Sequence, residues 1–135
     1  MSVLEIYTDG GSRGNPGEAA IGVVFFDGSK KVLSYKEKIG VATNNVAEYV
    51  ALHKAFEFAL KERYKRVHCH MDSQLVTRQL TGEYQVKDNN LQELFVIAKE
   101  LELKFEEVKY VNVPREHVRI AMADKLVNEA LDGKE

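Results

Sequence analysis

The hydrophobic period of this chain changes near Val46, and that change limits the folds open to it. Before it, three stretches read as strands: Val3 to Thr8, Ala20 to Phe26 and Val32 to Ile39. The run Asp9-Gly10-Gly11-Ser12-Arg13-Gly14-Asn15-Pro16-Gly17 between the first two is a dense turn signal, and Asp27-Gly28-Ser29-Lys30 reads as a hairpin turn. These three strands are expected to be antiparallel neighbours. After it, Val46, Tyr49, Val50, Leu52, Phe56, Ala59 and Leu60 form a helical stripe, with Thr43, Asn44 and Asn45 as cap candidates. Arg66 to Met71 reads as a fourth strand. A short helix follows, capped by Ser73 and stopped at Gly82, and then a longer one opened by Asp88 or Asn89 and running through Leu101. Phe105 to Val113 is a fifth strand ended by Pro114, and a last helix spans about Arg119 to Leu131.

The order is β-β-β-α-β-α-α-β-α. Helical crossovers separate strands one, four and five, which favours parallel pairing among them. The expected fold is α/β: a five-stranded mixed sheet, its first three strands antiparallel and strands 1, 4 and 5 parallel, with helices on both faces. The 135 residues suit one core and show no repeat, linker or low-complexity tract, so residues 1–135 are read as a single domain.

Charge and composition exclude several classes of function. Nineteen basic residues against twenty-one acidic give a formal net charge of −2, so any grip on a polyanion must come from a local basic patch or from bound cations. One cysteine forms no intramolecular disulfide, which fits a reducing compartment. No apolar run suits a signal peptide or a spanning helix. The expectation is a cytoplasmic, monomeric protein with no membrane partner.

Four acids stand out. Asp9 and Asp72 follow strands one and four, and parallel pairing would bring both carboxylates to one edge of the sheet, where sites form in such folds. Strand-end aspartates also cap turns, which is the plain reading of either alone. Glu48 lies four residues before Leu52 and seven before Ala55, on the side of its helix that faces the core. Asp124, three before Val127 and seven before Leu131, repeats this on the last helix. Acids seldom turn inward without a partner; the alternative is that they sit at the margin of the stripe and reach water. Four clustered carboxylates would repel one another, and oxygen-only donors imply hard cations, Mg²⁺ above all. Two Mg²⁺ would match four carboxylates in charge and can clamp an in-line phosphoryl displacement. The residues by themselves reach metal-dependent phosphoryl transfer and do not name a substrate.

Four motifs carry a resemblance. Tyr7-Thr8-Asp9-Gly10-Gly11-Ser12-Arg13-Gly14-Asn15-Pro16-Gly17, Thr43-Asn44-Asn45-Val46-Ala47-Glu48-Tyr49, Asp72-Ser73-Gln74-Leu75-Val76 and Ala123-Asp124-Lys125-Leu126-Val127-Asn128-Glu129-Ala130 resemble, in order, the motifs of type 1 ribonuclease H. The resemblance implies an endonuclease that cuts the RNA strand of an RNA–DNA hybrid with two Mg²⁺ (or Mn²⁺), leaving 5′-phosphate and 3′-hydroxyl ends. It makes Asp9, Glu48, Asp72 and Asp124 metal ligands, with Asp9 bridging and Glu48 sensing the ribose 2′-hydroxyl. It assigns Asn15, Asn44, Asn45 and Gln74 to minor-groove edges and sugars, and Thr43 to a DNA-strand phosphate; capping and turn chemistry is the alternative for all five. Gly10, Gly11 and Gly14 are read as backbone devices. In the family a loop histidine assists proton transfer or product departure, and His117 is the candidate here, the alternative being a solvated loop residue. The chain departs from longer members in three ways. Nothing like a hybrid-binding module precedes the first strand. The five residues between Gly82 and Asp88, in a chain without tryptophan, leave no basic protrusion. The stretch Val118-Arg119-Ile120-Ala121-Met122 is longer than usual and lacks the expected Asn.

Other readings compete. His68, His70 and Asp72, at alternate positions, could form a transition-metal site of a different hydrolase, with Cys69 facing the other way as a buried small hydrophobe. A non-catalytic hybrid-binding module on the same fold gains nothing from acids on apolar faces. Integrases and resolvases share this type of sheet but not the Thr-Asn-Asn-x-Ala-Glu run.

Overall fold

A computed structural model describes residues 3–134. The chain forms β1 (Leu4–Arg13), β2 (Gly17–Asp27), β3 (Lys30–Ala42), α1 (Asn44–Lys61), β4 (Arg66–Met71), α2 (Gln74–Leu80), α3 (Asn89–Glu102), β5 (Glu107–Asn112) and α4 (Val118–Leu131). The strands make one sheet in the order β3-β2-β1-β4-β5. β1 pairs antiparallel with β2, as β2 does with β3, and the β1/β4 and β4/β5 pairs are parallel. This is the sheet expected from the order of elements.

Local chemistry sets the helix starts. Thr43 Oγ1 accepts the Val46 N–H, Ser73 Oγ the Val76 N–H, and one Asp88 carboxylate oxygen the N–H groups of Asn90 and Leu91. Of the three cap candidates before α1, Thr43 fills the position. α4 begins one residue earlier than expected, capped by His117, whose Nδ1 accepts the Arg119 N–H at 3.2 Å.

The expected turn from Asp9 to Gly17 is mostly strand. β1 and β2 pair residue for residue from Leu4↔Asp27 to Arg13↔Glu18, so the connection is confined to residues 14–16. The glycines that suggest a turn instead permit close approach: a Cβ on Gly10 would overlap the Ala47 carbonyl, and one on Gly17 the Arg13 carbonyl. β4 stops at Met71 while β1 runs on to Arg13. Asp9 is therefore not at the end of its strand but within it, just where its parallel neighbour ends. With Tyr7 opposite His70, Asp9 and Asp72 each lie two residues past the last paired position.

The larger core fills the side covered by α1, α2 and α3, built on Leu4, Ile6, Val23, Phe25, Leu52, Phe56 and Val67. Alternation sends Tyr7, Val24 and Phe26 to the opposite face, where Ile120 and Ala123 of α4 cover them. β2 is buried on both faces, Ala19 to Phe26 being at most 6% exposed. A Cβ on Gly22 would overlap the Ala123 carbonyl, so glycine there lets α4 lie directly on the sheet.

Candidate active site

The three elements that meet where β4 ends each deliver an acid. β1 carries Asp9, α1 carries Glu48 in its second turn, and Asp72 follows β4 as the chain turns into α2. Each offers an oxygen, and the three oxygens lie within 4.8 Å of one another; among the described residues this is the one such group of three or more potential ligands. Glu48 is buried, as its position on the helix predicts, and its Oε1 accepts the Gly10 N–H at 2.7 Å. That bond takes α1 to β1 at the point where Gly10 lets the two backbones meet.

Asp124 completes the quartet from a different footing. It lines the same pocket and its charge reaches Asp9, but it falls outside the tight trio. Its side chain is 35% exposed, between buried Ala123 and Val127, so it occupies the margin of the apolar stripe and not its centre. Asn128, one turn on, donates Nδ2–H to the Asp124 carbonyl at 3.1 Å and approaches its carboxylate at 3.5 Å.

Burial governs the protonation of Asp9, Glu48 and Asp72. Burial, with the charges of Asp72 and Asp124 beside it, raises Asp9 from 3.8 to about 7. Burial raises Glu48 well above the usual range, and the charges of Asp9 and Asp72 push the same way. Burial also raises Asp72, against the opposing pull of Arg115. Without added positive charge the pocket holds protons. An all-oxygen donor set that is short of positive charge fits a hard divalent cation.

The polar residues expected at the substrate serve first as braces. Asn15 Oδ1 accepts the Asn44 N–H at 3.0 Å, and Asn44 Oδ1 accepts the Ser12 N–H at 2.9 Å. Together they bind the β1–β2 turn to the start of α1. Asn44 and Asn45 line the acid pocket, whereas Gln74 is exposed on the first turn of α2. Thr43 is engaged as the α1 cap. His117 does not line the pocket. Its ring stacks on Tyr7 at 5.4 Å, and Tyr7 in turn stacks on His70 at 4.4 Å. It is neither a solvated loop residue nor among the groups that face the acids.

Arg115 is the residue that sequence reasoning passed over. It shares the loop with His117, lines the acid pocket, and places a guanidinium nitrogen 3.8 Å from Asp124 Oδ1. A single basic residue in a loop of mixed charge gives no periodic signal.

The geometry removes the transition-metal alternative. Asp72 turns to Asp9 and Glu48, away from the two histidines. His68 Nε2 lies 3.1 Å from Glu107 and its Nδ1 3.5 Å from Glu5; His70 Nδ1 bonds the Ile6 carbonyl at 3.1 Å. Cys69 is fully buried among apolar neighbours, as expected.

Comparison with known proteins agrees with this geometry. Residues 7–130 match the family model described as reverse transcriptase-like. The chain is 43% identical over 130 residues to ribonuclease HI of Halobacterium salinarum, covering 96% of this chain and 64% of that protein. It is 43% identical over 129 residues to a bifunctional protein of Mycobacterium tuberculosis, covering 94% of this chain but 35% of the relative. The chain thus spans about a third of the length of the mycobacterial relatives it matches. Among solved structures, RNase H1 of Halobacterium salinarum superposes with a TM-score of 0.92 at 42% identity, covering 97% of this chain and 98% of that one. LC11-RNase H1, solved in complex with an RNA/DNA hybrid, gives 0.90 at 42% identity, with 96% and 97% covered.

Proposed function

Since the chain belongs to the type 1 ribonuclease H family, we propose that it is a divalent-metal-dependent endonuclease that hydrolyses the RNA strand of RNA–DNA hybrids, leaving 5′-phosphate and 3′-hydroxyl ends. The observation that carries this reading is the Asp9, Glu48 and Asp72 trio, with Asp124 on the wall of the same pocket. These four would hold two Mg²⁺ ions, with Mn²⁺ as a substitute. When bound, the ions supply charge that stabilises the attacking and leaving oxygens of an in-line displacement.

The chain's own residues do the rest. Asp9, whose carboxyl feels both Glu48 and Asp124, would be the ligand common to both ions. Glu48, fixed by the Gly10 N–H, would use its other oxygen as a metal ligand or to accept a ribose 2′-hydroxyl. Asn44 and Asn45 line the pocket, with Asn15 bracing the Asn44 backbone, and these three would meet minor-groove edges and sugars; Gln74 and Thr43, outside the pocket lining, would meet a sugar edge and a DNA-strand phosphate. The protein is taken to act as a cytoplasmic monomer on a single domain, residues 1–135, with no membrane partner. No helix among the described residues is long and apolar enough to cross a membrane.

Sensing of the 2′-hydroxyl has a direct test. A hybrid with one central ribonucleotide replaced by its deoxy counterpart is expected to lose cutting at that linkage by on the order of 100-fold or more, because the polar groups of the site are left unpaired. Mapping the cleavage products of matched hybrids checks it, and equal cutting at the deoxy position contradicts it. The same assay on RNA–RNA and DNA–DNA duplexes, with and without Mg²⁺, separates this enzyme from a general nuclease.

For His117 the geometry favours the cap of α4 over proton transfer. His117→Ala is expected to lower stability by about 1 kcal/mol, the usual loss for a capping group. The single-turnover rate should be unchanged, and a large fall in that rate would return the histidine to the chemistry.

A further inference from the structure

Arg115 is held on a fixed backbone with a free side chain. The Val113 N–H bonds the Met71 carbonyl and the His117 N–H bonds the Pro114 carbonyl, each at 3.0 Å, so the loop is tied to the end of β4 and to the start of α4. The side chain is 76% exposed. Its 3.8 Å approach to Asp124 is longer than a hydrogen bond, and a pair so open to water is held weakly and exchanges readily.

It is also the cation that answers the acids. Two arginines line the pocket, and the other, Arg13, is committed to Asp132 at 2.6 Å. Asp124 meanwhile turns both carboxylate oxygens to nitrogen donors, Oδ1 to Arg115 and Oδ2 to Asn128. It stands apart from the trio in that posture. A cation held by Asp124 would lie beside the guanidinium and be repelled by it.

Charge decides where the guanidinium goes next. Four carboxylates offset two divalent cations, which leaves the Arg115 charge unmatched. A phosphodiester carries one negative charge and two oxygens in a spacing that the planar guanidinium fork fits. Resting on the ribonuclease reading above, we propose that Arg115 is an exchangeable counterion. It holds Asp124 in the metal-free protein, leaves it as the pocket fills with divalent cations, and then binds a phosphate of the nucleic acid.

The test uses the intact chain and two readouts besides cleavage. Mn²⁺ is titrated without nucleic acid, by calorimetry and electron paramagnetic resonance, into the wild type, Arg115→Ala and Arg115→Lys. Removing the competitor should tighten the weaker Mn²⁺ site roughly 2–5-fold, the scale of an exposed ion pair. The tighter site should stay unchanged, and Arg115→Lys should lie between. A 2′-O-methyl RNA–DNA hybrid, bound in Mg²⁺ across a salt series and read by fluorescence anisotropy, should bind Arg115→Ala about 3–10-fold more weakly. The slope of log affinity against log salt should fall by about one phosphate contact. An unchanged or weaker second Mn²⁺ site in Arg115→Ala overturns the proposal, and so does an unchanged salt slope. Failure of the ribonuclease reading appears separately, as absence of hybrid cleavage by the wild type; the Mn²⁺ titration contains no nucleic acid and is read independently.

Discussion

Asp9→Asn is expected to do two opposite things: to abolish Mg²⁺-dependent cutting of an RNA–DNA hybrid and to make the metal-free protein more stable. The amide keeps the size of the side chain but withdraws a charged oxygen from the centre of the quartet. As a ligand, Asp9 would help hold the cations that lower the barrier, and its loss should raise that barrier by several kcal/mol, so the rate should fall on the order of 1,000-fold or more. Asp72→Asn should behave similarly. Stability moves the other way, because Asp9 is 7% exposed beside Glu48, Asp72 and Asp124 and is ionised only at a cost. Thermal melts in chelator at pH 8 should show Asp9→Asn melting roughly 3–8 °C above the wild type, the range of about 1–2 kcal/mol in a domain of this size. Near-normal cutting by the variant would sink the ligand assignment, and a lower melting temperature in chelator would sink the electrostatic account.

The sign of the pH dependence follows from the same groups. Asp9 titrates near 3.8 in the unfolded chain and at about 7 in the fold, and Glu48 and Asp72 are shifted the same way. Between those values the folded protein binds more protons than the unfolded chain, so stability falls as pH rises. The metal-free melting temperature should therefore decline from about pH 4 to about pH 7. The stabilisation gained by adding Mg²⁺ should grow over the same interval as cations replace protons. Asp9→Asn should flatten both trends, and activity should rise from neutral to mildly alkaline pH.

The sequence made legible what depends on period and residue type. Turn signals gave the antiparallel first three strands and crossover logic the parallel β1/β4/β5 set, and the inward register of Glu48 on α1 pointed to a partnered acid. Asp124 reads the same way on the helical wheel, yet its side chain is 35% exposed, with Arg115 3.8 Å from Oδ1 and Asn128 3.5 Å from Oδ2. The stretch from Asp9 to Arg13 reads as a turn but is strand, because glycine signals a turn by composition alone. Whether a glycine bends the chain or admits a neighbouring backbone depends on what packs against it, which one strand does not encode. Arg115 escaped notice for a related reason: its meaning lies in the pocket it overhangs, and loops carry no period.

Gly10→Ala is the sharpest test of that distinction. Gly10 lies within β1 and is not at a positive φ, so alanine costs nothing in backbone conformation there. In a turn the substitution would be nearly neutral or mildly stabilising. Here the added Cβ meets the Ala47 carbonyl and the Glu48 N–H, which are backbone atoms that cannot rotate away. α1 must lift from β1 and carry Glu48 away from the Gly10 N–H. Overpacking together with the loss of a buried hydrogen bond should cost about 3 kcal/mol or more, lowering the melting temperature by roughly 10 °C. Displacement of Glu48 should also weaken Mg²⁺ binding and cutting even well below the melting temperature, where the protein is folded. Gly28→Ala is the control, since nothing lies within 4 Å of its Cβ position and its φ of +62° confines the cost to local strain. It should lower stability by about 1 kcal/mol and leave Mg²⁺ affinity untouched. If Gly10→Ala proved no more damaging than Gly28→Ala, the close contact between α1 and β1 would not be what sets the acid pocket in place.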